Sequence, residues 1–404
     1  MLYKNRNVQL FLLSVLLLPI LSSCWDSQEI DERANVLAIG IDVADKQEEK
    51  SEDEIAHLRD FSITNNEIFK LTAQIAIPGR IPLGPEQTGG KEKPVLVVQV
   101  VGHTIEDAII NLQQEVANEL FLGHLRIIVL NEKVAKQGTQ RFNDFLRRNP
   151  EIRRTASLVV SKESAATYLK VSPELERIPS LYLADMVDNL TALGKFPPSF
   201  IGLFWTILSS KGQDAYLPYF RLKKGDNLEL NGLAYFKGDK MVGKTNPADI
   251  GIFMSVKGIH RGGYGAFVKV PGTNEVVVVK AMSRRTKIKV SLKDGKPHAS
   301  IKISYESTID EKGNPKLLVS NSSLLKKVEK QASKDVVAST KKFIKRTQRV
   351  KSDVFGFGEH FRAKLPHFWN KKIGTKEKWE DYYQQLTFDL QVETHIHRVG
   401  MKAK

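Results

Sequence analysis

The chain has 404 residues, of which 41% are hydrophobic and 26% are charged, and these proportions are those of a globular protein and exclude a disordered one. The net charge of +15 is unevenly distributed: residues 276–404 contain 29 Lys and Arg against 13 Asp and Glu, and the remainder is nearly neutral. The single cysteine excludes an intramolecular disulfide, and the length suggests two or three domains.

The chain begins with the features of an export signal. Lys4 and Arg6 precede an uncharged, mostly apolar run from Val8 to Ile20. A positive end followed by an apolar segment is typical of a secretory signal peptide. The run is shorter than the roughly 20 apolar residues that span a bilayer. We therefore interpret residues 1–23 as a signal peptide.

Cys24, which follows Leu21-Ser22-Ser23, is the predicted site of lipid attachment. This sequence resembles the lipobox of bacterial lipoproteins, in which the cysteine thiol receives a diacylglycerol and then becomes the first mature residue. Cleavage is therefore expected between Ser23 and Cys24; Ser23 replaces the usual Gly or Ala and is also small. Two or more acyl chains hold a protein stably at a bilayer, at about 0.8 kcal/mol per buried methylene. The alternative is an ordinary secretory peptide with an incidental cysteine.

Residues 24–206 are predicted to form a mixed α/β domain, because strand and helix patterns alternate along them. Strands are expected over 35–43 and 69–77, paired as a hairpin whose connection begins with an acidic loop. Thr104 is expected to cap a helix, with Asp107 three residues later. Further strands are predicted at 95–101, 125–130 and 155–161, and further helices at 131–138, 142–148 and, interrupted by Pro197-Pro198, 179–210.

Two more domains are predicted, which makes the whole chain a mixed α/β (α+β) protein of about three domains of mixed sheets and packed helices. Residues 207–272 form a small middle domain, with two strands over 228–242 and a Gly-rich stretch after them. Residues 273–404 form a basic domain with strands at 276–280 and 286–292, a hairpin turn at Asp294-Gly295, a helix over 322–350 and a closing strand over 387–399.

The predicted helix over 322–350 has an apolar stripe and a lysine-rich outer face. One interpretation is that the lysines only face water. The other is that they contact anionic lipid or acidic loops of a partner, since each Lys near an anionic surface contributes about 1 kcal/mol of attraction. Nucleic acid is an unsuitable partner for an exported protein. The candidate surface consists of Lys326, Lys327, Lys330 and Lys334.

Motifs for catalysis or cofactor binding were sought, and none fits. Residues 84–91 approach a phosphate-binding loop, but the lysine is one position late and Glu92 replaces the required Ser or Thr. His395 and His397 have the spacing of metal ligands on a strand, without a third ligand nearby. We therefore predict no enzyme, no cofactor and no metal site.

A set of short segments is distributed along the chain: Cys24-Trp25-Asp26, Glu29-Ile30, Arg33-Ala34, 37–42, 123–126, 149–155, 231–236, Val242-Gly243, 352–358, 366–369 and Trp379. Together they resemble the Ger(x)C family, the lipoprotein C subunits of nutrient germinant receptors in spore-forming bacteria. The resemblance implies a three-domain α/β body without known catalysis, on the outer face of the inner spore membrane. It also implies two partner subunits that span the membrane, to which nutrient binding is generally assigned.

Three functions remain open at this point. The favoured one is a non-catalytic receptor subunit required for germination. The second is a solute-binding lipoprotein, which needs a pocket between two lobes. The third is a cell-wall hydrolase, which needs paired carboxylates in a cleft.

Overall fold

A computed structural model describes residues 32–45, 68–80, 93–171, 177–224, 227–314 and 322–398. The predicted signal peptide, Ser23 and Cys24 lie outside these residues. The strands are β1 Ala34–Val43, β2 Phe69–Ala76, β3 Val95–Gly102, β4 Leu120–Phe121, β5 Ile127–Asn131, β6 Ser157–Ser161, β7 Tyr216–Leu222, β8 Leu228–Lys237, β9 Lys240–Lys244, β10 Gly265–Lys269, β11 Val276–Lys293, β12 Lys296–Lys312 and β13 Thr387–Arg398. The helices are α1 Ile105–Glu115, α2 Glu132–Gln137, α3 Gln140–Arg148, α4 Ala165–Tyr168, α5 Pro179–Ala192, α6 Ile201–Leu208, α7 Pro247–Val256, α8 Ser322–Arg349, α9 Phe357–Lys364, α10 Pro366–Phe368, which continues into a π-helical turn at Trp369–Ile373, and α11 Lys376–Gln385.

The first nine strands form one sheet in the order β3-β2-β1-β5-β6-β7-β8-β9, with β4 paired to β1. β1, β5, β6 and β7 run parallel, and the outer pairs are antiparallel. The predicted hairpin is confirmed, since β1 pairs with β2 from Val36↔Ile75 to Val43↔Phe69. The large sheet is therefore mixed, as the predicted fold class requires.

Two predicted helix starts are confirmed by their capping bonds. The Asp107 N–H donates to Thr104 Oγ1 at 3.1 Å, which satisfies one of the free donors at the start of α1. Asn131 caps α2 in the same way, through the Lys133 N–H at 2.9 Å. These caps fix where two helices leave strands of the large sheet.

The second sheet has the order β10-β11-β12-β13, with β12 and β13 parallel. Asp294 and Gly295 have φ of 51° and 73°, the left-handed conformation that a two-residue type I′ hairpin turn requires. The predicted hairpin is thus confirmed. The two strands predicted before it are instead one strand, β11, whose register shifts near Val278 and Ala281. Bulges of this kind break the hydrophobic alternation, which explains the mistaken division.

The Gly-rich stretch after β9 contains a helix that was not predicted. Helix α7 begins with a capping box formed by Asn246 and Asp249 and buries residues on several sides, including Ile250, Phe253 and Met254. A helix that is apolar on every side has no 3.6-residue periodicity to detect, so the sequence pattern did not predict it. The strands of the predicted middle domain, β7 to β9, continue the large sheet. The division at residues 206 and 272 itself stays a prediction.

Candidate functional site

Helix α8 carries the predicted lysine face, which we define as Lys326, Lys327, Lys330 and Lys334. All four side chains are exposed. On the opposite side of the same half of the helix, Val328 and Ala332 are buried against β10, β11 and β12. The four lysines therefore lie outside the core, which agrees with the prediction that the apolar stripe of this helix is opposite them.

The position of the lysine face in the fold follows from how the two halves of α8 pack. The N-terminal half, which carries the lysines, lies on the apolar cluster that includes Val268 and Ile309. The C-terminal half packs toward the junction with the large sheet, where Phe343 stacks edge-on against Phe355 at 5.0 Å. The lysine face therefore lies on the half of α8 that covers the second sheet away from this junction.

No ion pair joins the lysine face to an acidic side chain in the part of the chain that the structure describes. The acidic residues beside it have other partners: Glu329 accepts the Ile396 N–H at 2.8 Å, and Asp335 accepts from Gln331 at 2.8 Å. The first turn of α8 contains no acidic residue to offset the positive helix N-terminus. No described contact within the fold therefore requires four cations here.

We expect that reversing all four lysines to glutamate leaves the fold intact and weakens binding to anionic vesicles. The attraction that is lost is about 1 kcal/mol per lysine near the surface, and it acts only within about 8 Å at physiological salt. The measurement is co-sedimentation of the chain lacking residues 1–24 with anionic vesicles at several salt concentrations. Reversing Lys341, Lys342 and Lys345 on the other half of α8 is the positional control. Unchanged binding of a folded quadruple variant would mean that the lysine face is only solvated.

A second candidate site is the buried junction around Asp353, which lies in the resemblance segment 352–358. Asp353 Oδ1 accepts the N–H groups of Gly356 and Phe357 at 2.9 and 3.1 Å. Its Oδ2 accepts the Gly358 N–H and the Trp379 Nε1–H, both at 2.8 Å. One carboxyl group therefore organises the turn before α9 and joins that turn to α11.

Asp214, just before β7, extends this junction to the large sheet. Its Oδ2 accepts the Asp353 N–H at 2.8 Å, and its Oδ1 lies 3.1 Å from Lys376 Nζ. The Gly238 N–H, in the β8–β9 turn, also donates to Asp214, at 3.1 Å. The two aspartates together link the C-terminal helices to the edge of the large sheet, and this is a structural role.

Burial dominates the electrostatics of the junction. It raises the pKa of the Asp353 carboxyl to about 7, although the N–H donors of Gly358 and Trp379 act in the opposite direction. It also raises the pKa of Asp214, against the lowering effect of Lys376. Both carboxyls are almost fully inaccessible, at 0% and 1% exposure for Asp353 and Asp214. The two aspartates are neighbours in the fold, but their carboxyls do not lie in a cleft where a polysaccharide could reach them.

We expect the destabilisation caused by Asp353→Asn to become smaller as pH rises from 5 to 8. A carboxyl whose folded pKa is raised stabilises the fold fully below its unfolded pKa, about 3.9, and that contribution is lost as pH rises through about 7. The asparagine variant has no such titration, so the difference between the two proteins narrows. Urea unfolding of both proteins at each pH measures it. A difference that is constant or widens with pH would contradict the raised pKa.

A cavity of about 220 Å³ opens between α7 and α8, above the second sheet. Small residues such as Gly251 and Ala332 line it, together with the exposed Phe267. Arg284 also lines the cavity and is buried, and its guanidinium donates to the carbonyls of Ile259 and Arg261 at 2.7 and 2.6 Å. The cavity is the feature that a solute-binding function would use.

Metal binding finds no support among the described residues, where no group of three or more His, Cys, Asp or Glu side chains could hold an ion. His397 Nε2 contacts Glu306 on the neighbouring strand, and His395 is exposed. The two histidines are thus on the solvent face of β13.

Sequence reasoning predicted that the lysine face is exposed, and it missed the roles of Asp214, Asp353 and Arg284. Asp353 does have a local sequence signal. It directly precedes the glycine-containing run Val354–Gly358, and an Asp side chain at such a position can accept hydrogen bonds from the backbone of a turn. Asp214 and Arg284 carry none, since their partners come from distant segments.

Two family models match nearly the whole chain. The model described as "Spore germination protein N-terminal domain" matches residues 26–222. The model described as "Spore germination B3/ GerAC like, C-terminal" matches residues 231–400. The boundary between them falls at the β7–β8 connection.

Curated relatives are also spore germination proteins, and a solved structure has a similar fold. Spore germination protein KC of Bacillus subtilis (strain 168) is 27% identical over 97% of this chain and 95% of its own length. Spore germination protein GerQC of Bacillus cereus is 28% identical over 78% of this chain and 85% of its own. The crystal structure of the GerBC protein matches with a TM-score of 0.56 and 18% identity, covering 92% of this chain and 99% of that one, which is a likeness of fold.

None of the described helices is both long and apolar enough to cross a membrane.

Proposed function

The chain belongs to the Ger(x)C family of spore germination proteins, and from this we propose that it is the lipoprotein subunit of a membrane receptor for nutrient germinants. The observation that carries the proposal is the match of the two family models to residues 26–222 and 231–400. In this role the chain triggers germination together with two integral membrane subunits. It binds no nucleic acid.

The proposed location is the outer face of the inner spore membrane, with acylated Cys24 as the anchor. The sequence Leu21-Ser22-Ser23-Cys24 after an apolar signal supports it. The exposed lysine face supports contact with an anionic surface or with acidic loops of the membrane subunits. The proposed body after the signal peptide has three parts, 24–206, 207–272 and 273–404.

We propose that the subunit acts without catalysis and without a cofactor. The paired carboxyls of Asp214 and Asp353 support this, because their oxygens are engaged by N–H donors and by Lys376 inside the fold. A cell-wall hydrolase needs a carboxylic acid and a carboxylate that flank a bound sugar chain. The junction has no room for one.

Deletion of the gene in the source organism tests the proposal. We expect the mutant spores to lose germination with one nutrient or nutrient mixture of a panel and to germinate normally with others. The fall in optical density of spore suspensions measures this, and reintroducing the wild-type gene should restore it. Normal germination with every nutrient, in a strain without a second copy of this subunit, would contradict the proposal.

The cavity between α7 and α8 favours one second candidate, direct binding of a nutrient by this subunit. Calorimetry of the purified protein with the nutrient found in the deletion experiment separates the two functions. Heat of binding that disappears when Ala332 is replaced by a larger residue would support the second candidate. A receptor subunit that leaves nutrient binding to its partners gives no heat.

A further inference from the structure

Next to the hairpin turn, strand β11 has a basic edge that no described strand covers. Strand β10 pairs only with residues Val276 to Lys280 of β11. From Lys287 to Lys293 the strand pairs with β12 on one side, and no described strand lies on the other side. This edge is about 23 Å long at the usual rise of a strand.

The direction of the unpaired backbone groups follows from the register. Lys293 faces Lys296 across the two-residue turn, so it belongs to a hydrogen-bonded pair, and such pairs recur at every second residue. The N–H and C=O groups of Ile288, Val290 and Leu292 therefore point away from β12. They are the groups that an added strand would bind.

A row of cations runs along this edge. Arg285, Lys287 and Lys289 are exposed on one face of β11, about 7 Å apart, because alternate residues of a strand share a face. None of them has an acidic partner among the residues that the structure describes, whereas Lys302 beside them is paired with Glu393 at 2.8 Å. Three unneutralised cations in a row repel one another, which costs stability unless a partner compensates.

We propose that this edge binds an extended acidic segment of a partner protein as an additional strand of the second sheet. Carboxylates at alternate positions of such a segment match the spacing of Arg285, Lys287 and Lys289. Its backbone completes the hydrogen bonds of Ile288, Val290 and Leu292. The same lysines oppose pairing with the edge of another copy of this chain, because the like charges would repel. The charge therefore favours an acidic partner over a second copy.

A peptide partner is favoured over an anionic lipid surface because an added strand supplies alternating acceptors and donors for these N–H and C=O groups, whereas a lipid phosphate supplies only acceptors. The surface is separate from the lysine face of α8. It does not depend on the proposed receptor function, since the test uses a synthetic probe.

The probe is a fluorescein-labelled nine-residue peptide that alternates glutamate and threonine, titrated with the full chain in neutral detergent micelles. We expect saturable binding that weakens about tenfold in the Lys287→Glu/Lys289→Glu variant, since exposed charge pairs each contribute up to about 1 kcal/mol. Lys341→Glu/Lys342→Glu makes the same charge change on α8, outside the lysine face, and should leave the affinity unchanged. Circular dichroism checks that both variants are folded.

A second peptide separates strand pairing from charge alone without any protein variant. It has the same sequence and charge but is N-methylated at alternate residues, so it cannot complete a strand ladder. We expect its affinity to be at least about ten times lower than that of the first peptide, because it cannot form the main-chain hydrogen bonds of strand addition. Equal binding of the two peptides, equal loss in both protein variants, or no binding at all would overturn the proposal. So would displacement of the peptide by phosphatidylglycerol added to the micelles, which would identify the edge as a lipid-binding surface.

Discussion

Asp353→Asn should destabilise the fold by about 2–4 kcal/mol at pH 6, the largest stability loss that we expect from a side-chain change of equal size. The carboxyl accepts four N–H groups, two on each oxygen. Both oxygens of a carboxyl retain lone pairs whether or not it is protonated, and an amide nitrogen has none to offer. The NH₂ group of asparagine would therefore face two donors and leave both without a partner.

The loss follows from the position of the donors as well as their number. With one amide oxygen in place of Oδ1, Gly356 and Phe357 keep their acceptor, but Gly358 and Trp379 do not. Trp379 is 1% exposed, so no water can replace the missing acceptor without a local opening of the structure. A buried donor without a partner costs about 1–3 kcal/mol, and two donors at about 1–2 kcal/mol each, in the lower part of that range, give about 2–4 kcal/mol.

Urea unfolding of wild type and variant at pH 6 measures this loss. Asp381→Asn is the matched control: it makes the same chemical change on α11, at an exposed side chain whose described partner is Lys351. The control should unfold at nearly the same urea concentration as the wild type. If Asp353→Asn behaves like the control, Asp353 is not what holds the junction together.

The same contacts show which parts of the fold could be predicted from sequence. Local chemistry was sufficient for the caps at Thr104 and Asn131 and for the turn at Asp294-Gly295, because each depends on residues within four positions of one another. The long helix was predictable for a related reason, since one side of it is apolar at every third or fourth residue. These elements need no information about distant segments.

The junction and the cavity could not be predicted in this way. Asp214 and Asp353 are 139 residues apart in the chain, and the Trp379 indole reaches Asp353 from a third segment. Helix α7, one wall of the cavity, is apolar on several sides because it is covered both by β8 and by α8. Residues with such tertiary roles have no periodic signal, so only the packed fold brings them together.

The lysine face is an intermediate case. Its residues were predictable, because an outer face of lysines opposite an apolar stripe is visible in the sequence. Its placement was not, since it depends on which half of α8 meets the junction. The structure puts Phe343 and Ile344 at the junction side and leaves the lysines on the other half.

Cys24→Ala should abolish lipidation and release most of the chain from membranes. The thiol of Cys24 is the only one in the sequence, so an alanine variant offers no other cysteine for a diacylglycerol. Each methylene buried in the bilayer contributes about 0.8 kcal/mol, so the loss of two or three long acyl chains removes more binding energy than any surface charge can supply. The lysine face alone contributes about 1 kcal/mol per residue and only at low or physiological salt.

Expression in a bacterium without the partner subunits, with an alkyne-bearing fatty acid in the medium, measures both effects. We expect the wild type to carry the label and to stay in the membrane fraction through a high-salt wash, and Cys24→Ala to lose the label and most of its membrane fraction. Ser23→Ala is the matched control, because alanine is the more usual small residue before such a cysteine and should leave both readouts unchanged. A Cys24→Ala chain that has lost residues 1–23, as judged by its mass, and still remains fully in washed membranes would reveal a second anchor. In that case a segment other than Cys24 and the lysine face would hold the chain at the bilayer, and that segment would also orient the body.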